Sequence, residues 1–206
     1  MNSMKCNFLN ICVVALLMLP SSVYSEPKAG PYEKIEQVTA ELLTIIDAHK
    51  EGYPDNQQQY FNAISNLLNG AVDFKYISKK VMGAYRSKVT AKQRSIFVDK
   101  FRQGLVETYG RGIINYGNQK IVIVDRSALK DGQRTLIVKQ EIRSEGDTYP
   151  LQYSMARKKT GEWMVINMTI SGINLRQIFQ SQFIQAAKKS GGDLDVVIAN
   201  WTVESK

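Results

Sequence analysis

TYPLQYSMARKKTGEWMVINMTI (Thr148–Ile170) reads as two strands joined by a tight turn. Tyr149, Leu151, Tyr153 and Met155 alternate with Gln152 and Ser154, the period of two that a half-buried strand requires. Thr160-Gly161 supplies a hairpin turn. The strand that follows places Met164, Ile166, Met168 and Ile170 on one face and Trp163, Val165, Asn167 and Thr169 on the other. Two more candidate strands lie upstream, at roughly 119–126 and 133–144, with Asp131-Gly132 and Glu145-Gly146 as turns. Four strands at 119–126, 133–144, 147–157 and 162–170, joined by short glycine-bearing turns, predict an antiparallel meander with one apolar, methionine-rich face.

Helical spacing flanks this sheet on both sides. Upstream, Pro31 suits a first helical turn, and Ile35, Val38, Leu42, Ile45 and Ile46 follow at helical intervals. Gly52 and Pro54 end that helix, and Asp55 is the expected cap of the next, which carries Phe61, Ile64, Leu67 and Leu68 up to Gly70. Asp73 caps a third helix, and Thr90 with Gln93 forms a capping box for a fourth. The fourth helix turns Phe97, Phe101, Leu105, Thr108 and Tyr109 to one side. Its glycines, Gly104, Gly110 and Gly112, imply a bend, a close approach or an early end, since each costs about 1 kcal/mol relative to alanine. Downstream, Asn174 caps a helix with Gln177 completing a box, and Asp193 caps a last one bearing Leu194, Val197, Ile198 and Trp201. Helices packed on one face of an antiparallel sheet make the α+β plan.

The N-terminus fixes the expected compartment. Residues 1–25 carry a single charge, Lys5, then an apolar run from Phe8 to Leu19 that is too short to span a bilayer. Val23 and Ser25 fit the small-residue cleavage rule, so the segment reads as a secretory signal peptide cut between Ser25 and Glu26. Residues 26–206 then form a single domain of about 180 residues, large enough to bury a core without disulfides. Both cysteines, Cys6 and Cys12, fall in the signal, which suits a bacterial periplasm. The net charge of +8 drops by one with Lys5, leaving a basic protein suited to anionic headgroups or an acidic partner.

The chemistry of most enzymes is missing. The only histidine, His49, sits at a helix C-terminus, where the dipole favours a cation. No glycine-flanked serine resembles a nucleophile elbow, no cluster has metal-ligand spacing, and no phosphate loop is present. Asp193 and Asp195 are better explained as a helix cap than as a calcium site. The expectation is a protein with no catalytic residue, no metal and no cofactor.

One further stretch, VDFKYISKKVMGAYRSKVTAKQRSIF (Val72–Phe97), mixes bases with aromatics in the manner of a nucleic-acid surface. The export signal argues against nucleic acid. Helical periodicity separates the string into an inward face with Phe74, Ile77, Val81 and Phe97, and an outward face with Lys75, Lys79, Lys80, Arg86, Lys88, Lys92 and Arg94.

The same stretch resembles the MlaC family, periplasmic phospholipid carriers of the maintenance-of-lipid-asymmetry pathway, also known as toluene-tolerance proteins. The resemblance rests on Val72-Asp73-Phe74, Met82-Gly83, Tyr85-Arg86, Thr90 with Gln93-Arg94, Phe97 with Phe101, and Thr108-Tyr109. It continues through Tyr153, Gly161 with Trp163, Gly172 with Asn174-Leu175, and Ser181-Gln182-Phe183, covering about Pro31 to Trp201. The chain departs from the family at Asn174, where serine is usual, and at Gln180, where arginine is common. The resemblance implies an apolar cavity between helices and sheet that holds phospholipid acyl tails as cargo. It implies lining by Phe74, Ile77, Val81, Phe97, Phe101, Leu105, Tyr109, Tyr153, Met155, Met168 and Ile170, with the headgroup left at the mouth and little touched by protein. It also implies a monomeric shuttle with two docking partners: an outer-membrane lipoprotein–porin complex and the lipid-binding component of an inner-membrane ABC transporter. The seven outward bases are candidates for docking.

Periodicity does not distinguish a cavity lining from a filled core. A carrier for a hopanoid or another apolar molecule, a solid-core scaffold, and an isomerase with a carboxylate base in an apolar pocket remain alternatives at this level.

Overall fold

The computed structural model describes residues 29–117 and 119–203; the expected signal segment, with its cleavage site and both cysteines, lies outside the described residues. Helix α1 spans Pro31–His49 and runs into a 3-10 turn at Lys50–Gly52. Helices α2 (Gln57–Asn69) and α3 (Phe74–Val81) follow, then a 3-10 turn at Gly83–Ser87 and the long α4 (Ala91–Ile113). Strands β1 (Lys120–Val124), β2 (Thr135–Arg143), β3 (Thr148–Arg157), β4 (Trp163–Ile170) and β5 (Ile173–Asn174) lead to α5 (Leu175–Lys189) and α6 (Leu194–Ala199).

Most helix starts follow the caps expected from sequence. Asp73 accepts from the Tyr76 backbone N–H, Asn174 from that of Gln177, and Asp193 from those of Asp195 and Val196. Thr90 and Gln93 form a reciprocal capping box. The start of α2 is a correction. Its N-cap is Asn56 rather than Asp55, and the Asn56 amide is turned back to donate to the His49 carbonyl at 3.1 Å. The glycines of α4 are resolved as close approaches rather than an early end. A Cβ on Gly104 would lie 2.8 Å from Val203 and one on Gly110 would lie 3.1 Å from the Phe61 ring, whereas Gly112 faces open space.

The strands form one antiparallel sheet in the order β1-β2-β3-β4-β5. Among the described residues it has five strands, not the expected four. The fifth is the pair Ile173–Asn174, which folds back on Thr169 and Ile170. Two residues are too few for an alternation pattern, so the sequence reads them only as a helix cap. The β2–β3 and β3–β4 connections are tight, with Gly146 and Gly161 at φ of 90° and 89°. The β1–β2 connection is longer than expected and occupies residues 125–134.

A second correction concerns the faces of β4. The β3–β4 register pairs Tyr153 with Met168 but Met155 with Val165, so Ile166 is the extra residue of a β-bulge. The bulge switches the parity of the strand. Met168 and Ile170 therefore share the inner face with Val165 and Trp163, not with Met164 and Ile166. Beside the bulge, the Val165 backbone also bonds outward, to Asp73 N–H (2.9 Å) and the Ala71 carbonyl (2.8 Å). This short parallel bridge ties the α2–α3 junction to the sheet edge.

Among the described residues three apolar clusters form the interior. The largest unites α3, α4, α5 and α6 around Phe97, Phe101, Phe183 and Trp201; Phe97 and Phe101 stack at 5.9 Å, and the other ring pairs meet edge-on or tilted at 4.9–6.4 Å. A second joins Tyr32 and Ile35 of α1 to Val138, Met155, Trp163 and Val165 of the sheet. A third joins Ile46 of α1 to Tyr60, Phe61 and Ile64 of α2 and Val106 of α4.

Candidate functional site

Where these three clusters meet they do not close completely. A pocket of about 290 Å³ remains, its wall almost entirely apolar. Helix α1 contributes Ile35, Val38, Thr39 and Leu42; α2 and the link to α3 contribute Leu68, Ala71 and Val72. Phe74 and Ile77 come from α3, and Phe101, Leu105, Tyr109 and Ile113 from α4. The sheet supplies Tyr153, Val165, Asn167, Met168 and Ile170, and α5 supplies Leu175, Arg176 and Phe179. Phe101, Leu105 and Tyr109 lie one helical turn apart, so a single stripe of α4 forms one side. The β4 bulge aims Val165 and Met168 at the opposite side.

Eight of the eleven residues expected at a cavity line this pocket: Phe74, Ile77, Phe101, Leu105, Tyr109, Tyr153, Met168 and Ile170. Val81, Phe97 and Met155 do not. Val81 and Phe97 are sealed inside the helical cluster, and Met155 is sealed between α1 and the sheet. Apolar periodicity finds the inward side of an element but not how deep each residue lies. The α1 stripe was legible as a helix face, although nothing local places it against β2. Asn167 and Arg176 carry no apolar signal at all, so only the assembled structure brings them to the wall.

Few polar groups break the lining. Tyr153 donates to Gln140 Oε1 at 2.9 Å, and Gln140 Nε2 donates to Thr39 Oγ1 at 3.1 Å. This chain links β3, β2 and α1, and it satisfies a Gln140 side chain that is only 3 % exposed. Burial pushes the hydroxyl pKa of Tyr153 and Tyr109 upward, so both stay neutral at physiological pH. Among the described residues Arg176 is the only charged one on the wall. Gln180, one turn further along α5, is not on it and packs toward Gly83.

The seven outward bases are all exposed, as their spacing predicts. They lie on α3, the following 3-10 turn, its C-cap Lys88 and the start of α4. Lys80 and Lys88 rest over the rings of Tyr76 and Tyr85 at 5.4 and 5.6 Å. His49 is remote from the pocket; its Nδ1 donates to the Ile45 carbonyl at 2.8 Å. Among the described residues no group of three or more His, Cys, Asp or Glu side chains could hold a metal ion, and no helix is long and apolar enough to cross a membrane.

Comparison with known proteins agrees with this architecture. The family model described as MlaC protein matches residues 36–203. The chain is 34 % identical over 175 residues to the toluene tolerance protein ttg2D of Pseudomonas putida, covering 84 % of this chain and 80 % of that one. It is 27 % identical over 168 residues to the intermembrane phospholipid transport system binding protein MlaC of Haemophilus influenzae, covering 81 % and 78 %. Among solved structures it matches a phospholipid-binding protein from Ralstonia solanacearum in complex with a phospholipid. That match has a TM-score of 0.71 and 25 % identity, covering 83 % of this chain and 98 % of that one.

Proposed function

The chain belongs to the MlaC family, and on that premise we propose that it binds phospholipid by its acyl tails in the apolar pocket. The observation that carries this reading is the pocket itself: a nearly unbroken apolar wall between helices and sheet, with Phe74, Phe101, Leu105 and Met168 around it. Each methylene moved out of water gains about 0.8 kcal/mol, so a tail of about 16 carbons costs on the order of 12 kcal/mol to expose. A dry container removes that barrier to crossing an aqueous compartment. Methionine at the wall suits varied chains, because its thioether adapts its shape.

About 290 Å³ falls just below the ~300–1,000 Å³ usual for ligand pockets, so two long tails require the wall to open. We place that opening at the α1 seam, where Tyr32 and Ile35 pack on the sheet. Across it lie the Thr39–Gln140 bond, the Tyr32–Ser127 bond and the Arg126 pairs with Glu33 and Glu36. The Arg126 pairs are half-exposed and contribute about 0–1 kcal/mol each.

In the full reading the chain is exported by its N-terminal signal as one monomeric domain and shuttles lipid through the periplasm. It exchanges cargo with an outer-membrane lipoprotein–porin complex and with the lipid-binding component of an inner-membrane ABC transporter, and so maintains outer-membrane asymmetry. The exposed bases of α3 and α4 dock it by electrostatic encounter, which favours fast association over tight binding. No covalent step is involved. The test is organic extraction and mass spectrometry of protein purified from a diderm host. Co-purifying phospholipid is expected; repeated preparations with no lipid, and none taken up from vesicles, would end the proposal. A hopanoid or other apolar cargo would appear in the same spectrum.

A further inference from the structure

Among the described residues, nothing holds Arg176. Of the other arginines among the described residues, three pair with acids, four donate to backbone carbonyls and Arg111 lies over the Phe61 ring. Arg176 has no hydrogen bond, ion pair or ring partner among the described residues. It is nevertheless half-buried, and it is the one charge on the wall of the apolar pocket. A guanidinium keeps its charge at any physiological pH. Partial burial against hydrocarbon strips its water without replacing it.

Its place in the helix makes this odder. Arg176 lies in the first turn of α5, where the macrodipole is positive and favours an anion. That turn contains no acidic residue. A cation at the positive end, beside an apolar wall, breaks two local preferences at once, and such departures mark functional positions. A second group on the same wall points the same way. Asn167 of β4 is 6 % exposed, and its Oδ1 has no hydrogen-bond partner among the described residues. A buried amide left unpaired calls for a polar ligand group.

We propose that Arg176, together with the N-terminus of α5, holds the phosphodiester of the bound lipid, and that the Asn167 amide serves the ester-linked glycerol region beside it. The proposal rests on the reading that the pocket takes acyl tails. A guanidinium offers a phosphate two parallel N–H donors, and a helix N-terminus adds a favourable field. The ester-linked region offers only acceptors, so the Asn167 amide meets it by a half-turn that presents its N–H donors to an ester carbonyl. The protein then selects lipids that carry a phosphate over neutral lipids with the same tails. It does not discriminate what lies beyond the phosphate. The expectation that the headgroup is little touched by protein is replaced by one fixed contact at its innermost charged group.

The experiment uses the full mature chain, delipidated, and two probes with identical tails: phosphatidylglycerol in vesicles and dispersed diacylglycerol. Bound lipid is measured by mass spectrometry. Arg176→Gln is expected to weaken phosphatidylglycerol binding at least tenfold and leave diacylglycerol binding unchanged, with Arg176→Lys recovering part of the loss. Asn167→Leu is expected to weaken both, because both carry the esters; unchanged binding of both removes Asn167 from the site. Unchanged phosphatidylglycerol binding by Arg176→Gln overturns the proposal, as does an equal loss of both lipids, which marks a packing role. If the wild type takes up neither probe, the tail-binding reading fails, and this proposal with it. Inorganic phosphate is the last arm. If it raises the wild-type melting temperature and Arg176→Gln abolishes that shift without altering the preference for phosphatidylglycerol over diacylglycerol, the site takes free phosphate and the lipid assignment is overturned.

Discussion

Tyr153, Tyr60 and Asn167 show what single residues do in this interior. Tyr153 sits on an alternating strand and reads from sequence as an apolar lining residue. Its ring does line the pocket, yet its hydroxyl anchors Gln140, which in turn holds Thr39 of α1. Tyr153→Phe is expected to lower stability by about 1–3 kcal/mol, because Gln140 Oε1 then loses its donor while buried; urea denaturation measures this. Tyr60 donates to the Gly110 carbonyl at 3.1 Å, and burial, with a smaller contribution from Tyr53, pushes its pKa up to about 12. The unfolded chain ionises this group near 10. The folded state therefore holds the proton more tightly. The contribution of Tyr60 is complete below about pH 10 and is lost as pH rises towards 12. Thermal melts across that window should show falling stability, with a shallower fall in Tyr60→Phe. Tyr60 precedes the apolar positions that the sequence marks on this helix, and its partner, fifty residues away, leaves no local signal.

At the scale of elements, caps and turns are the most legible features. Asp73, Thr90 with Gln93, Asn174 and Asp193 cap helices as their local pattern predicts, because each bond joins groups two or three residues apart. The glycines of α4 were ambiguous for the opposite reason: their meaning depends on what packs against them. The structure separates them. Gly112→Ala should stabilise the protein by about 1 kcal/mol, having open space around it, whereas Gly110→Val should destabilise it by forcing α4 away from Phe61 and Ile64. Melting temperatures of the two variants test the contrast, and a gain in both would show that Gly110 is not a close approach. The β4 bulge is the clearest case of illegibility. Nothing in Trp163–Ile170 announces an extra residue, because Met164 and Ile166 are as apolar as Val165. The choice between the two parities is made by β3 on one side and the Ala71–Asp73 bridge on the other.

For the whole molecule, the proposed function makes stability and charge measurable together. A ligand that binds only the folded state adds stability by mass action, about 2.7 kcal/mol at a hundredfold excess over its Kd. Delipidated protein should therefore melt lower than protein loaded with phospholipid, and reloading should restore the difference. Lys75→Glu, Lys79→Glu and Lys80→Glu combined lie on an exposed face and should leave the melting temperature and lipid content nearly unchanged. They should slow lipid transfer to membrane-bound partners and flatten its dependence on salt; unchanged transfer kinetics would remove this face from docking. By itself the sequence determined the α+β plan, most helix caps, the tight hairpins, the inward and outward sides of the helices and the family resemblance. All of these follow from periodicity and from bonds between near neighbours. Only the tertiary structure decided which inward residues are packed solid and which face a pocket. That outcome depends on how three clusters from six helices and a bulged sheet fail to meet, and on which wall Arg176 and Asn167 then share. Such a gap belongs to no single segment, because its walls are brought together from residues as far apart as Ile35 and Phe179.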